Sequence, residues 1–260
     1  MSMLARLDGY FEAESRREHS KHNLRVGMAH TLEDLRAFQR LRHQVFVEEM
    51  GAKLELAEAG IEQDRFDPFC QHLLVWDVST GRVVGGYRIL TDSQAARAGG
   101  FYSETEFDLS RLLAIPGRRV EVGRTCVHPD YRSGSVISLL WSGLARYMLM
   151  HRYDFLMGCA SIPLHQGTDT IASVWQSVAE RHLSPPEWRV FPRLSFDSLD
   201  LAAGTTPEPL PPLLKGYLRL GAQICGEPAF DPAFNVADLF ILLSLDRVSA
   251  RYARHFIHRG

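Results

Sequence analysis

The run from Val120 to Ala160 sets the tightest limit on what this chain can fold into. Val120–Val127 reads as a strand that ends at His128-Pro129-Asp130-Tyr131-Arg132. A helix from about Ser135 then carries Val136, Ile137, Leu139, Leu140, Leu144 and Met148 inward at helical spacing. Phe155–Ala160 follows as a strand without a single polar side chain. Such a strand has no solvent face and belongs at the centre of a sheet covered on both sides. Helices packed around a mixed sheet, an α/β architecture, satisfy this requirement with the fewest elements.

The flanking segments agree with that layout. Leu24–Met28 alternates like a strand, and Thr31 with Asp34 makes a capping-box pattern. Leu32, Leu35, Phe38, Leu41, Val45 and Phe46 then extend a helix to about Glu49. An irregular acidic stretch leads to Asp64-Arg65-Phe66-Asp67-Pro68. His72–Trp76 and Val83–Leu90 form a hairpin about Ser79-Thr80-Gly81. A polar loop holds Gly99–Glu104, and Asp169-Thr170 opens a further helix. Residues 184–212 carry Pro185, Pro186, Pro192, Pro207, Pro209, Pro211 and Pro212 and read as a connector. Beyond it, Leu213–Leu220 and Leu239–Leu245 are apolar enough to need burial. The expected organisation is a solvated arm over 1–23, a core over 24–200, and an extension over 201–260 packed on that core.

Composition removes several classes of function. A formal charge of −2 leaves no global positive field to hold nucleic acid. The cysteines Cys70, Cys126, Cys159 and Cys225 form no CxxC pair and read as reduced thiols. The eleven histidines show no metal-binding spacing, so no metal is expected. No apolar signal core opens the chain. The apolar helical stretch Val136–Met150 is too short to cross a bilayer and carries Arg146. A cytoplasmic protein is the expectation.

Two places carry chemistry. Glu121 lies mid-strand among apolar residues, where a carboxylate is costly unless paired or functional. It fits a proton acceptor or a structural ion pair with Arg124. Residues three apart on a regular strand face opposite ways, so the pair meets only if the strand bulges, which Gly123 permits. We therefore expect a bulge or splay here, leaving a main-chain N–H free to polarise a carbonyl. The second place is Arg132-Ser133-Gly134-Ser135, at the start of a helix. Its small residues suit either a phosphate cradle or ordinary capping.

Val127-His128-Pro129-Asp130-Tyr131-Arg132 before an apolar helix resembles the acyl-donor motif of the GNAT acyltransferase superfamily. There the usual pattern is Gln or Arg, two residues, Gly, one residue, then Gly or Ala. This chain instead has Ser135 and Ile137 at the two small positions. Phe69–Val75, Gly100–Glu104, Glu121–Arg124, Pro212–Arg219 and Asp231–Asp238 resemble the ornithine-lipid N-acyltransferases within it. Arg42 with Phe46, Asp64 with Asp67, Arg88, and Glu121 with Arg124 also follow the order of the related acyl-homoserine-lactone synthases.

The resemblance implies a GNAT-type, mostly antiparallel mixed sheet with a central splay, flanked by helices. It implies transfer of a 3-hydroxyacyl chain from acyl carrier protein to the α-amine of L-ornithine, giving lyso-ornithine lipid. The donor is then the carrier's phosphopantetheine thioester, with no separate cofactor. An ammonium attacks a thioester only after losing a proton, and Glu121, beside Arg124, is the favoured acceptor. Arg42 and Arg88 suit the acceptor's carboxylate by bidentate bonds, while Arg42 on a helix face equally suits the surface. Asp64 and Asp67 suit its positive groups or plain solvation. Phe46, Phe101 and Tyr102 suit an acyl pocket or the core. Cys126, Val127, Arg132, Ser133, Gly134 and Ser135 form the expected donor site. Arg247, Arg251, Arg254 and Arg259, with no acid among them, suit an acidic carrier protein or the anionic inner face of a membrane. The alternatives are a lactone-synthase-like or other amino-acid N-acyltransferase, and a non-catalytic lipid- or carrier-binding protein.

Overall fold

A computed structural model describes residues 23–164, 168–196 and 209–247. The first strand β1 (Leu24–Met28) leads to helix α1 (Leu32–Arg42). Thr31 Oγ1 accepts from the Asp34 amide at 3.0 Å while Asp34 accepts from the Thr31 amide at 3.0 Å, the expected capping box. The helix widens into a π-helical segment over His43–Glu49, which brings Phe46 and Glu49 to the site below. The hairpin strands are β2 (Gln71–Asp77) and β3 (Arg82–Thr91). Helix α2 (Asp92–Ala98), strand β4 (Phe107–Asp108) and the short helix α3 (Ser110–Leu113) lead to β5 (Arg119–Val127). Helix α4 (Ser135–His151), strand β6 (Phe155–Pro163), helix α5 (Thr168–His182) and strand β7 (Phe191–Pro192) follow. Helix α6 (Pro212–Leu220) and strands β8 (Gln223–Ile224), β9 (Ala229–Asp231) and β10 (Val236–Ser244) complete the order.

The main sheet runs β1-β2-β3-β5-β6-β10-β8, with β9 on the outer part of β10. All its pairings are antiparallel except β5 with β6. Side chains alternate between two covered faces, as a period of two demands. On β2, Leu73 and Val75 pack beneath α4 with Val136, Leu140 and Leu144. Leu74 and Trp76 turn the other way, onto Phe38, Leu41 and Val45 of α1 and its continuation. β10 behaves alike. Ala237, Leu239 and Ile241 meet α5 and α6, and Phe240 and Leu242 meet Phe107, Leu109 and Leu112. Burying each large side chain of this kind contributes about 1.5–3 kcal/mol.

β10 pairs with β6 over nine residue pairs, so the segment after the proline-rich connector is part of the central sheet. Most of the expected N-terminal arm, residues 201–208, and Arg251, Arg254 and Arg259 lie outside the described residues. Among the described residues, no helix is long and apolar enough to cross a membrane.

Candidate active site

β5 and β6 pair only at Arg119 with Phe155, Val120 with Leu156 and Glu121 with Met157. Both strands continue, β5 held by β3 and β6 held by β10, but apart from each other. A bulge at the expected place creates this fork. The β3–β5 register slips between Gly86 and Arg88, leaving Arg124 and Thr125 opposite the single residue Tyr87. The left-handed residue is Arg124, at φ 51°, and not Gly123. At the crotch, Gly158 is required: a Cβ there would lie 2.3 Å from the Val122 carbonyl oxygen.

The fork opens into a cavity of about 320 Å³. Of the residues expected at the site, Phe46, Arg88, Tyr102, Glu121, Arg124, Cys126, Val127 and Arg132 line it. Ser133, Gly134 and Ser135 do not; Gly134, at φ 105°, precedes the first turn of α4. Arg132 donates both terminal nitrogens to Glu49, at 2.5 and 2.7 Å, and its Nε to the Val127 carbonyl at 3.0 Å. Phe101 is a core residue beside Phe107 and Leu112.

Arg42, Asp64 and Asp67 stand behind the cavity wall, where they differ from the expected substrate contacts. Arg42 is wholly buried. Its Nη1 and Nη2 donate to the two Asp67 oxygens at 2.7 and 3.1 Å, and its Nε to Glu62. Arg88 Nη1 donates to Asp64 at 2.6 Å, and Arg124 donates to Glu62 at 3.2 Å and to Asp64 at 3.1 Å. Three arginines thus answer three carboxylates, and Arg42, wholly buried among them, does not line the cavity. Burial opposes the charge of Asp67, yet His72 and Arg42 hold its pKa well below the carboxylate range. Burial likewise opposes Arg124, but Tyr102, Glu62 and Asp64 keep it firmly charged. Its guanidinium lies 4.7 Å from the Tyr102 ring centre and 4.6 Å from that of Phe234.

Glu121 reaches the cavity but makes no ion pair with Arg124. Its Oε2 accepts from the Tyr102 amide at 2.7 Å, and its Oε1 from the Ser103 amide at 2.8 Å and from the Ser103 hydroxyl. The carboxylate therefore ties the loop at 102–105 to β5. Burial raises its pKa above the ordinary value against these donors. Burial also pushes the Cys126 thiol up to about 12 and the Cys159 thiol well up, so neither is an activated nucleophile.

Sequence reasoning missed Glu62, Ser103, Glu106, Asp231 and Asp238. Glu62 is one acid in an acidic stretch and carries no local signal. Asp238 had one: it stands in the apolar run of β10, the same anomaly that marked Glu121. Glu106, Asp231 and Asp238 line the cavity, and their carboxylate oxygens approach within 4.8 Å of one another. Burial, then Asp238 and Asp231, push Glu106 up to about 9. Burial and Asp231 raise Asp238 to about 6.

Residues 41–142 match the acetyltransferase (GNAT) domain family. The CoA-dependent acyl-homoserine lactone synthase BjaI, solved with SAM and isopentyl-CoA, is 18% identical with a TM-score of 0.54. That match covers 88% of this chain and 82% of BjaI, and it shows a common fold. The L-ornithine N(alpha)-acyltransferase of Brucella abortus is 38% identical, covering 90% of this chain and 89% of its own. That of Rhodobacter capsulatus is also 38% identical, covering 90% and 95%. At this identity and coverage, the chain with the forked GNAT sheet belongs to the L-ornithine N(alpha)-acyltransferase family.

Proposed function

We propose that this chain transfers a 3-hydroxyacyl group from the thioester of acyl carrier protein to the α-amine of L-ornithine, yielding lyso-ornithine lipid. The observation that carries this reading is the fork in the sheet. Beyond Glu121 the β5 main chain has, among the described residues, no strand partner on the β6 side, and a buried acid stands at its base. An extended pantetheine arm laid along Val122–Val127 completes the missing edge, and a main-chain N–H freed by the bulge polarises the thioester carbonyl.

The steps follow from the neighbours of Glu121. The acceptor's α-ammonium first loses one proton to solvent. As the neutral amine nitrogen then bonds to the thioester carbon, its second proton passes to Ser103 Oγ while the Ser103 hydroxyl proton passes to Glu121. The hydroxyl already donates to Oε1, and the raised pKa of Glu121 makes it a better base than an exposed carboxylate. Breaking the C–S bond releases the carrier thiolate, which recovers the proton. Attack is direct, because the cavity cysteines are held as thiols. Arg88 and Arg124, the two arginines of the network that reach the cavity, orient the acceptor's carboxylate.

Incubation with 3-hydroxyacyl carrier protein and ornithine is expected to release free carrier thiol and an amide seen by mass spectrometry. No release with any amino acid overturns the reading, and methylthioadenosine from S-adenosylmethionine would mark lactone synthesis instead. Ser103→Ala is expected to lower kcat by roughly 100-fold with little change in KM, the lower end of the range of general-base effects. An unchanged kcat removes the relay.

A further inference from the structure

We propose that Glu106, with Asp231 and Asp238, forms a subsite in the fork cavity for the side-chain ammonium of a diamino-acid acceptor. The inference rests on the acyltransferase reading and adds the group that selects the acceptor. The three residues reach one place from separate elements. Glu106 follows the 3-10 turn Tyr102–Thr105, Asp231 ends β9, and Asp238 lies on β10.

Each carboxylate spends part of its accepting capacity on a neutral donor. Asp238 Oδ1 takes the Ser161 hydroxyl at 2.6 Å. Asp231 Oδ1 takes the amides of Ala233 and Phe234 at 2.8 and 3.1 Å. Glu106 Oε2 faces the Cys159 thiol at 3.5 Å. Glu106 Oε1 is fully buried with no close hydrogen-bond partner, while the Glu106 carboxyl as a whole faces the Tyr102 hydroxyl and Asp238. Among the described residues, no arginine, lysine or histidine makes an ion pair with any of the three, and Arg124 is already engaged by Glu62 and Asp64. A buried oxygen without a donor is costly unless a ligand supplies one. An ammonium has the required chemistry: one positive charge and three N–H donors for converging oxygens.

The rest of the cavity agrees with this placing. The amine that reacts must lie near Ser103 and Glu121, and Ser103 Oγ is 3.4 Å from Cys159 Sγ, whose other neighbour is Glu106. The acidic wall is therefore one residue's width from the proposed reaction centre, a distance a three-carbon side chain can bridge. Glu106 faces Asp238, Asp231, Tyr102 and Cys159, and Arg124 adds a weak positive field at Asp238. Binding a cation there displaces the proton that Glu106 holds at neutral pH, so acceptor affinity rises from pH 6 towards pH 9.

The test is calorimetric binding of ornithine and of norvaline, which lacks only the terminal amine, to the full chain at pH 8. Ornithine is expected to bind roughly 10- to 100-fold more tightly, the range of a charge-assisted hydrogen bond. Glu106→Gln and, separately, Asp238→Asn should shrink that ratio while leaving norvaline affinity unchanged. Equal binding of the two amino acids to the wild type overturns the proposal, as does a ratio kept in both folded variants. Loss of ornithine binding with EDTA and its recovery with Mg²⁺ would make this a metal site and overturn it too. The binding assay needs no turnover, so its failure is distinguishable from failure of acyl transfer. In that case thiol release with ornithine persists and only the preference over norvaline is lost.

Discussion

Two trios of carboxylates are built into this fold, and they differ in what answers their charge. Glu62, Asp64 and Asp67 meet Arg42, Arg88 and Arg124, so that network is neutral within the protein. Among the described residues, Glu106, Asp231 and Asp238 meet hydroxyl, thiol and amide donors and one another, with no ion pair to a basic side chain. The direction of the pKa shifts records the difference. Arg88 and Arg124 hold Asp64, and His72 with Arg42 holds Asp67, below the ordinary carboxylate value, while burial and mutual repulsion hold Glu106 and Asp238 above it. A trio with its own cations holds its shape before any ligand binds: it fixes the bulge and presents Arg88 and Arg124 to the cavity. A trio without them is unfinished until something positive arrives.

The strongest way to break this comparison is to neutralise one acid from each trio. Asp67→Asn leaves the buried Arg42 guanidinium without its bidentate partner. Urea unfolding is expected to show a loss of about 3–5 kcal/mol, the range for removing one member of a buried ion pair. Asp238→Asn keeps an oxygen for the Ser161 hydroxyl and removes a repelling charge. It should stay within about 1 kcal/mol of the wild type or exceed it. Losses of similar size in both variants would erase the distinction between the two trios.

Much of the scaffold was legible because its signals are local. The capping box of Thr31 and Asp34, the helical spacing through Phe46, and the unbroken apolar β6 each report on near neighbours. The bulge stands where it was expected, but not for the expected reason: Glu121 and Arg124, three apart in one strand, do not pair. Its left-handed residue was not legible. Arg124 takes that conformation, and its guanidinium is held by Glu62, Asp64 and two aromatic rings, all remote in sequence. The resemblance to the lactone synthases pointed to Arg42 and Asp67, but nothing local showed that they meet each other. The place of β10 between β6 and β8 is likewise a long-range pairing that no local pattern encodes.

Titration separates the trios with the smallest effect and the clearest sign. A carboxylate whose folded pKa is depressed stabilises the protein above its unfolded value, near 4, and loses that contribution as pH falls further. Asp64 and Asp67 therefore make stability fall on acidification. A carboxylate whose folded pKa is raised acts in the opposite sense. Between about pH 4 and the folded values of about 6 for Asp238 and about 9 for Glu106, the folded state holds the extra protons. Stability then declines as pH rises. Urea midpoints measured from about pH 3 to 9 should show the wild type failing on both sides. Glu106→Gln should flatten only the alkaline limb, and Asp67→Asn only the acid limb. If Glu106→Gln keeps the wild-type decline above pH 6, Glu106 does not hold a proton in the folded protein, and the acidic wall is already compensated.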